Sequence, residues 1–268
     1  MSLKVANEKD IDVVLEYLRP NVQDCIYMYI DIKKYRTSNP AMKVWYDHNA
    51  TGDIILVVTK YHTSISLYSS ETSDIWLSTD LLRIIKQHKP NSITGRRDII
   101  EILMNEMDGY NEEYGYVFKL EKFADFGGDD LVDDAEDADM FEIAKLVTSN
   151  AEIGSYYEVQ DYADQLLERK HSGMGRSLIV RDGSQIVGHI ATYAELDGIA
   201  TTGGLIVKPS HEGKMFGAIL EGFLVRKLLN EGITIYTYVT SKKRYKLLKN
   251  MGNNSVGEYG KMMKREEA

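Results

Sequence analysis

Leu205-Ile206-Val207-Lys208-Pro209-Ser210-His211-Glu212-Gly213-Lys214-Met215-Phe216-Gly217 is an apolar run that ends at a proline, followed by a short polar loop. Glycines stand at 213 and 217, and an amphipathic segment begins at Phe216. Physically this is a strand, an amide-rich turn and the start of a helix. The first N–H groups of a helix have no intrahelical acceptor, and the aligned peptide dipoles place partial positive charge there. Such a turn suits a phosphate or pyrophosphate.

The neighbouring residues supply what such a unit needs. Residues 199–207 read as the strand. Residues 215–230 read as a helix with the stripe Phe216, Ile219, Leu220, Phe223, Leu224 and Leu228, stopped at Gly232. A strand at 233–239, a helix at 241–251 with Ser241 as its cap, and a strand at 256–264 follow. Upstream, 177–181 and 185–193 flank Asp182-Gly183-Ser184, a hairpin pattern.

The first half of the chain repeats this order. Ala6-Asn7-Glu8-Lys9-Asp10-Ile11-Asp12-Val13-Val14 aligns with Ala135-Glu136-Asp137-Ala138-Asp139-Met140-Phe141-Glu142-Ile143 at an offset of 129. After a strand at 3–5, Ile11, Val14, Leu15 and Leu18 form one helical face, and Pro20 stops it. A second helix is predicted over 22–33, with Cys25 as a small buried hydrophobe. A hairpin at 43–46 and 53–60, a strand at 63–68, a helix at 79–87, an extended piece at 91–94, a helix at 97–107 and a strand at 114–120 complete it. The economical reading is a tandem duplication of one α+β unit.

Composition narrows the function classes. The 268 residues are 43% hydrophobic and carry a net charge of −9, which argues against non-specific nucleic-acid or membrane binding. One cysteine permits no intrachain disulfide and points to a reducing compartment. There is no run of roughly 20 apolar residues and no basic-then-apolar leader pattern, so a cytoplasmic location is expected. Residues 121–139 hold nine acidic side chains, read as a solvated connector or a first helical turn. They lack the spacing of a calcium loop. No His-x-x-x-His pair, Gly-x-Ser-x-Gly elbow or Gly-Lys-Ser/Thr loop occurs, so no metal is expected.

The order of elements, with a glycine-containing turn between the fourth strand and a long helix, resembles the GCN5-related N-acetyltransferase (GNAT) superfamily. Val207, Pro209, Gly213, Lys214 and Gly217 match the family's turn; Glu212 and Met215 depart from its usual Arg/Gln and Gly. The second signature, Asn-x-x-Ala-x-x-Leu-Tyr-x-x-Leu-Gly-Phe, is met in frame by 241–253. Ser241 takes the Asn position, Leu247 the Leu, Leu248 the Tyr, Met251-Gly252 the Leu-Gly and Asn253 the Phe. The resemblance covers about 133–266. It implies an α+β tandem GNAT-like fold, a mixed central sheet flanked by helices, with a degenerate N-terminal domain at 1–124 and an acetyltransferase domain at 133–268. The first half's equivalent of the turn, near 71–79, has no glycine.

The resemblance further implies acyl-CoA, most simply acetyl-CoA, as co-substrate, and direct transfer of its acyl group to an amine. Leu205, Ile206, Val207, Glu212, Gly213, Lys214, Met215, Phe216, Gly217, Ala218 and Ser241 would bind it, mostly through main chain. A left-handed backbone at Met215 would cost roughly 1 kcal/mol. Lys214 and the basic helix carrying Lys242, Lys243, Arg244, Lys246 and Lys249 could offset Glu212. Leu248 cannot donate a proton to a leaving thiolate, so Tyr245 and Tyr238 are the candidate acids. Glu195 is the candidate base. His189 reads as a core histidine and His211 as polar loop. The acceptor would be a small-molecule or lysine amine, and the chain a monomer or homodimer. The alternative is a non-catalytic acyl-CoA-binding or interaction module on the same fold.

Overall fold

The computed structural model describes residues 3–71, 79–150 and 158–265. In chain order the elements are β1 (Lys4–Val5), α1 (Ile11–Leu18), α2 (Ile26–Tyr35), β2 (Met42–His48), β3 (Ile54–Tyr61), β4 (Ser64–Tyr68), α3 (Thr79–His88), β5 (Ser92–Arg96), α4 (Arg97–Met104) and β6 (Tyr110–Leu120). Then come β7 (Val132–Asp134), α5 (Met140–Thr148), α6 (Val159–His171), β8 (Ser177–Asp182), β9 (Gln185–Leu196), β10 (Ile199–Val207), α7 (Phe216–Asn230), β11 (Thr234–Val239), α8 (Lys242–Asn250) and β12 (Asn254–Lys264).

The chain divides into two compact units. The first is Met1–Val117 with Val239–Tyr245 and Ser255–Ala268; the second is Phe118–Tyr238 with Lys246–Asn254. Strands run β1-β2-β3-β4-β5 in the first unit and β7-β8-β9-β10-β11 in the second. In both, the fourth and fifth strands are parallel and the earlier neighbours antiparallel. Helices α1 and α5 begin at Ile11 and Met140, the spacing of the sequence repeat. The fold is α+β, with mixed sheets flanked by helices.

Hydrophobic periodicity explains each core. Ile11, Val14 and Leu18 bury one face of α1, and Met140, Ile143, Ala144, Leu146 and Val147 bury that of α5. The second unit's core joins these α5 residues to Tyr162, Ala163 and Leu166 of α6 and to Ile179, Ile186 and Ile206 of the sheet. The start of α5 is fixed by a capping box between Glu136 and Asp139. In the first unit, Met262 of β12 is fully buried in the core among residues of β2 to β5. β12 pairs antiparallel with β5 there, from Tyr259↔Arg96 to Met263↔Ser92. By packing, therefore, the end of the chain belongs to the first unit, whereas the resemblance implied a contiguous second domain at 133–268.

Two elements differ from the sequence reading, and a third adds to it. The helix expected over 22–33 begins only at Ile26, because Arg19–Asp24 forms a 3-10 turn around Pro20 with a kink at Asn21 (φ −124°, ψ 38°). Cys25 ends that turn; it is buried, and burial pushes its thiol pKa well up, so it is no nucleophile. Helix α6 was not foreseen, since only Tyr162, Ala163 and Leu166 of its thirteen residues are buried, too narrow a stripe to stand out. Finally, the acidic stretch 121–139 is solvated as its composition suggested, eight of its nine acidic residues being exposed, but it is also tied to the rest of the second unit. Arg226 of α7 donates to the Ala124 carbonyl at 3.3 Å and to Asp129 at 2.5 Å, and Lys227 pairs with Asp134. Buried Asn253 accepts the Glu121 and Lys122 amides at 2.9 and 3.2 Å and donates to the Lys122 carbonyl.

Ile143 has no exposed surface. Ile143→Ala should therefore lower the unfolding free energy by about 3 kcal/mol in urea titration. A loss below about 1 kcal/mol would contradict the placement of α5.

Candidate functional site

The site is built where β10 leaves β11. The two strands pair in parallel from Ile199↔Thr234 to Thr202↔Thr237, and no rung joins them further on. β10 continues to Val207, still paired with β9 through Ile206↔His189 and Val207↔Gly188. The main-chain groups on the other edge of Leu205–Val207 are thus left without a strand. Two register shifts in the β9–β10 ladder accompany this divergence, one at Thr201/Thr202 and one between Gly203 and Ile206. Such bulges bend a strand and raise its twist, which turns β10 away from its neighbour.

The turn follows directly. Lys208 donates its amide to the Val187 carbonyl at 2.8 Å, and Pro209–His211 form a 3-10 turn. Gly213 has φ +83° and Met215 φ +65°, both left-handed. Met215 is the residue just before α7 and supplies no side-chain cap. Ile219 is the first helix residue whose amide is paired, with the Met215 carbonyl at 3.0 Å. Among the described residues, the amides of Gly213, Met215, Phe216, Gly217 and Ala218 meet no acceptor. Five unpaired donors at the positive end of a 15-residue helix are an arrangement that suits an anion.

A short relay braces this turn. The Asp182 carboxylate can only accept, so His211 Nε2 carries a proton and donates to it at 2.9 Å, while Ser210 Oγ lies 2.9 Å from His211 Nδ1. The His211 ring stacks on Phe216. Asp182 is held below its ordinary pKa by the His211 bond and then by Lys214, whose Nζ is 3.9 Å away. His211 is therefore more than polar loop: it ties the turn to the end of β8.

The other predicted residues fall in different places. Tyr238 is the first residue of β11 past its last rung with β10. Glu195, at the far end of β9, is mostly buried and committed to structure: Arg176 clamps its carboxylate, and Thr192 donates to it at 3.1 Å. Arg176 also holds Glu231. Ser241 and Tyr245 belong to the first unit, where the Tyr245 ring packs 4.6 Å from that of Tyr116. Ser241 Oγ accepts the Arg244 amide at 3.5 Å, a weak cap. Leu248, where the family has Tyr, is fully buried.

In the first unit the corresponding strands, β4 and β5, pair from Ser64↔Ser92 to Ser66↔Thr94. Beyond that point Arg96 reaches across from β5 and donates to the Ser69 and Ser70 carbonyls at 3.2 and 2.7 Å. Arg96 also pairs with Asp98. A guanidinium thus occupies main-chain acceptors at the end of β4. The glycine-free segment at 71–79 lies, from residue 72 to 78, outside the described residues. An open cleft of about 550 Å³ beside Arg96 is lined by Asp24, Arg97, Glu101 and Glu258, and Arg97 is paired with both glutamates.

His189 is a core histidine, as its sequence setting suggested, but with one ring nitrogen unpartnered among the described residues. It is fully buried on β9, and burial pushes its pKa down to about 4, against the pull of a bond to the Gly204 carbonyl. The signal available was a lone histidine in an apolar run opposite two consecutive glycines, Gly203 and Gly204.

Two measurements follow. Met215→Gly relieves a left-handed residue that is 53% exposed and buries little, so it should raise stability by about 1 kcal/mol in thermal or chemical unfolding; a loss would contradict the turn's backbone. For His189, the unfolded chain takes up a proton near the ordinary value of 6.5 that the folded chain refuses until about 4. Stability should therefore be full above about pH 6.5 and fall as pH is lowered towards 4, by about 3 kcal/mol at most. His189→Asn should remove that part of the acid sensitivity, and an unchanged pH profile would show that the ring is not buried neutral.

Comparison with known proteins agrees with this geometry. None of the curated proteins matches the sequence. The chain is similar in structure to a Drosophila protein (TM-score 0.68, 13% identity, 98% of each chain covered). It is likewise similar to a GCN5-related N-acetyltransferase from Sphaerobacter thermophilus (TM-score 0.64, 12% identity, 98% of this chain and 95% of that one). A tandem GNAT protein from the clavulanic acid biosynthesis pathway is matched over 100% of both chains (TM-score 0.62, 10% identity). At these identities the likeness is one of fold. Residues 138–252 match the profile of the acetyltransferase (GNAT) family, a range that contains β10, the turn, α7 and β11. Residues 138–252 are thus similar to the GNAT family, and the chain as a whole has the tandem GNAT fold.

Proposed function

We propose that the second unit binds acyl-CoA, most simply acetyl-CoA, and transfers its acyl group to an amine. The observation that carries this is the five unpaired amides of Gly213 and of residues 215–218, which follow the strandless edge of β10. The turn's amides would hold the pyrophosphate. The pantetheine arm, with its own amide groups, would pair along Leu205–Val207 as a short strand does. Because these contacts are main chain, Met215 keeps the donor that a glycine would supply, and Glu212 can point its exposed side chain into solvent.

In the reaction, the amine nitrogen forms a C–N bond to the thioester carbon, the C–S bond breaks, and the thiolate takes a proton while the amine loses one. Tyr238, at the point where β11 leaves β10, is the proposed proton donor. With Glu195 clamped by Arg176, removal of the amine proton falls to water. The acceptor is a small-molecule or lysine amine.

A second reading, an acyl-CoA-binding module without turnover, is favoured by Leu248: a fully buried aliphatic side chain stands where the family carries a tyrosine. Thiol release over a panel of amines separates the two readings. Gly213 is left-handed, and a Cβ at Gly217 would meet Val207 at 3.6 Å. The double variant Gly213→Pro, Gly217→Val removes one amide and crowds the cradle, so calorimetry should show acetyl-CoA affinity falling at least about a hundredfold. Unchanged affinity in a folded variant refutes this placement. Tyr238→Phe should lower turnover about a hundredfold with acetyl-CoA binding intact.

A further inference from the structure

His189 has no exposed surface, and the residues directly opposite it in the sheet are Ile179 on β8 and Ile206 on β10. A leucine would sit among them without any polar group to satisfy. The imidazole instead leaves Nε2 buried with no partner among the described residues, a costly arrangement in an apolar core. What it provides in return is a single donor. Nδ1 lies 3.2 Å from the Gly204 carbonyl oxygen. A carbonyl can only accept, so Nδ1 carries the proton and Nε2 the lone pair.

Gly204 is the bulge itself. Between the rungs Gly203↔Ala191 and Ile206↔His189, β10 has two residues where β9 has only Ile190. Gly204 is left-handed at φ +65°, and a Cβ there would lie 2.2 Å from Tyr193 Oη. A Cβ on Gly203 would meet the same ring at 2.5 Å. Tyr193 thus covers both glycines, and its hydroxyl is tied to that of Tyr162 at 2.8 Å. A bulge disrupts the regular ladder, and at this one the Gly204 carbonyl is taken by His189. The bulge also lies where the far end of the ligand would fall: three residues back from Val207 to Gly204 span about 10 Å of strand.

We infer that His189 is a positioning residue, whose Nδ1–H bond to the Gly204 carbonyl holds the β10 bulge and so fixes the free edge at Leu205–Val207 against which the pantetheine arm of the ligand lies. This rests on the acyl-CoA reading of the second unit. His189 touches neither solvent nor the strandless edge itself, so it acts through the backbone of β10 and not as a base.

Three variants test this. Asparagine places an N–H near the position of Nδ1, glutamine places one near Nε2, and leucine has none. Amide hydrogen exchange of the segment 205–207 is measured without ligand, and acetyl-CoA and CoA affinities by calorimetry. His189→Leu and His189→Gln should exchange at least about tenfold faster there, and bind acetyl-CoA and CoA alike about tenfold more weakly, since both carry the pantetheine arm. His189→Asn should stay within about threefold of wild type in both readouts. Should the leucine variant not fold, glutamine against asparagine carries the same comparison. Exchange at 205–207 that is unchanged in His189→Gln, or equally fast in His189→Asn at matched stability, overturns the inference. Wild-type protein that binds neither ligand overturns the acyl-CoA reading instead, and the exchange comparison still decides whether His189 holds the bulge.

Discussion

Parallel strands held together by four rungs and then forced apart are the feature on which the rest of the second unit depends. Between Ile199 and Thr202, β10 pairs with β11 as any parallel strand would. After Thr202 the bulges bend it away, and its far edge loses its hydrogen-bonding partner. Unpaired main-chain groups are stable only where something polar meets them. The turn beyond β10 extends the same condition, because the first amides of α7 also lack acceptors. Two sets of unpaired main-chain groups, a strand edge and then a helix start, thereby suit a ligand that has amides at one end and phosphates at the other.

Glycine and histidine hold this arrangement from beneath. Gly203 and Gly204 leave room for the Tyr193 ring, and His189 engages the Gly204 carbonyl. Below the turn, His211 links Ser210 to Asp182 of β8 and stacks on Phe216. Both histidines are therefore braces, though in opposite settings: one is buried and kept neutral, the other lies at the surface beside a carboxylate. The first unit repeats the divergent strands but answers the problem differently. There the Arg96 guanidinium supplies the donors for the end of β4 from within the protein. A duplicated fold thus shows the same backbone demand met once by a side chain and once by an open edge.

Much of this was legible in the sequence because it is written in local periodicity. The strand at 199–207, the helix starting at Phe216 and the offset of 129 between α1 and α5 all follow from apolar spacing and turn residues. Periodicity reports which face of an element is buried, but not which partner covers it. For that reason β12 could be recognised as a strand while its place beside β5 could not. Glu195 stood as the candidate base because its clamp, Arg176, is nineteen residues away in the chain. Likewise, the acidic stretch 121–139 is solvated as read, but its ties to Arg226 and Asn253 could not be seen because these lie 97 and 132 residues from the groups they hold. The left-handed Met215 was foreseen as a conditional cost of replacing a glycine, and the backbone angle bears it out.

The most direct test of the account is the stoichiometry of acetyl-CoA binding to the whole chain, measured by calorimetry. An open edge and amide cradle in the second unit, with Arg96 closing the equivalent strands of the first, predict one molecule bound per chain. Two molecules per chain, or none at millimolar ligand, would contradict it.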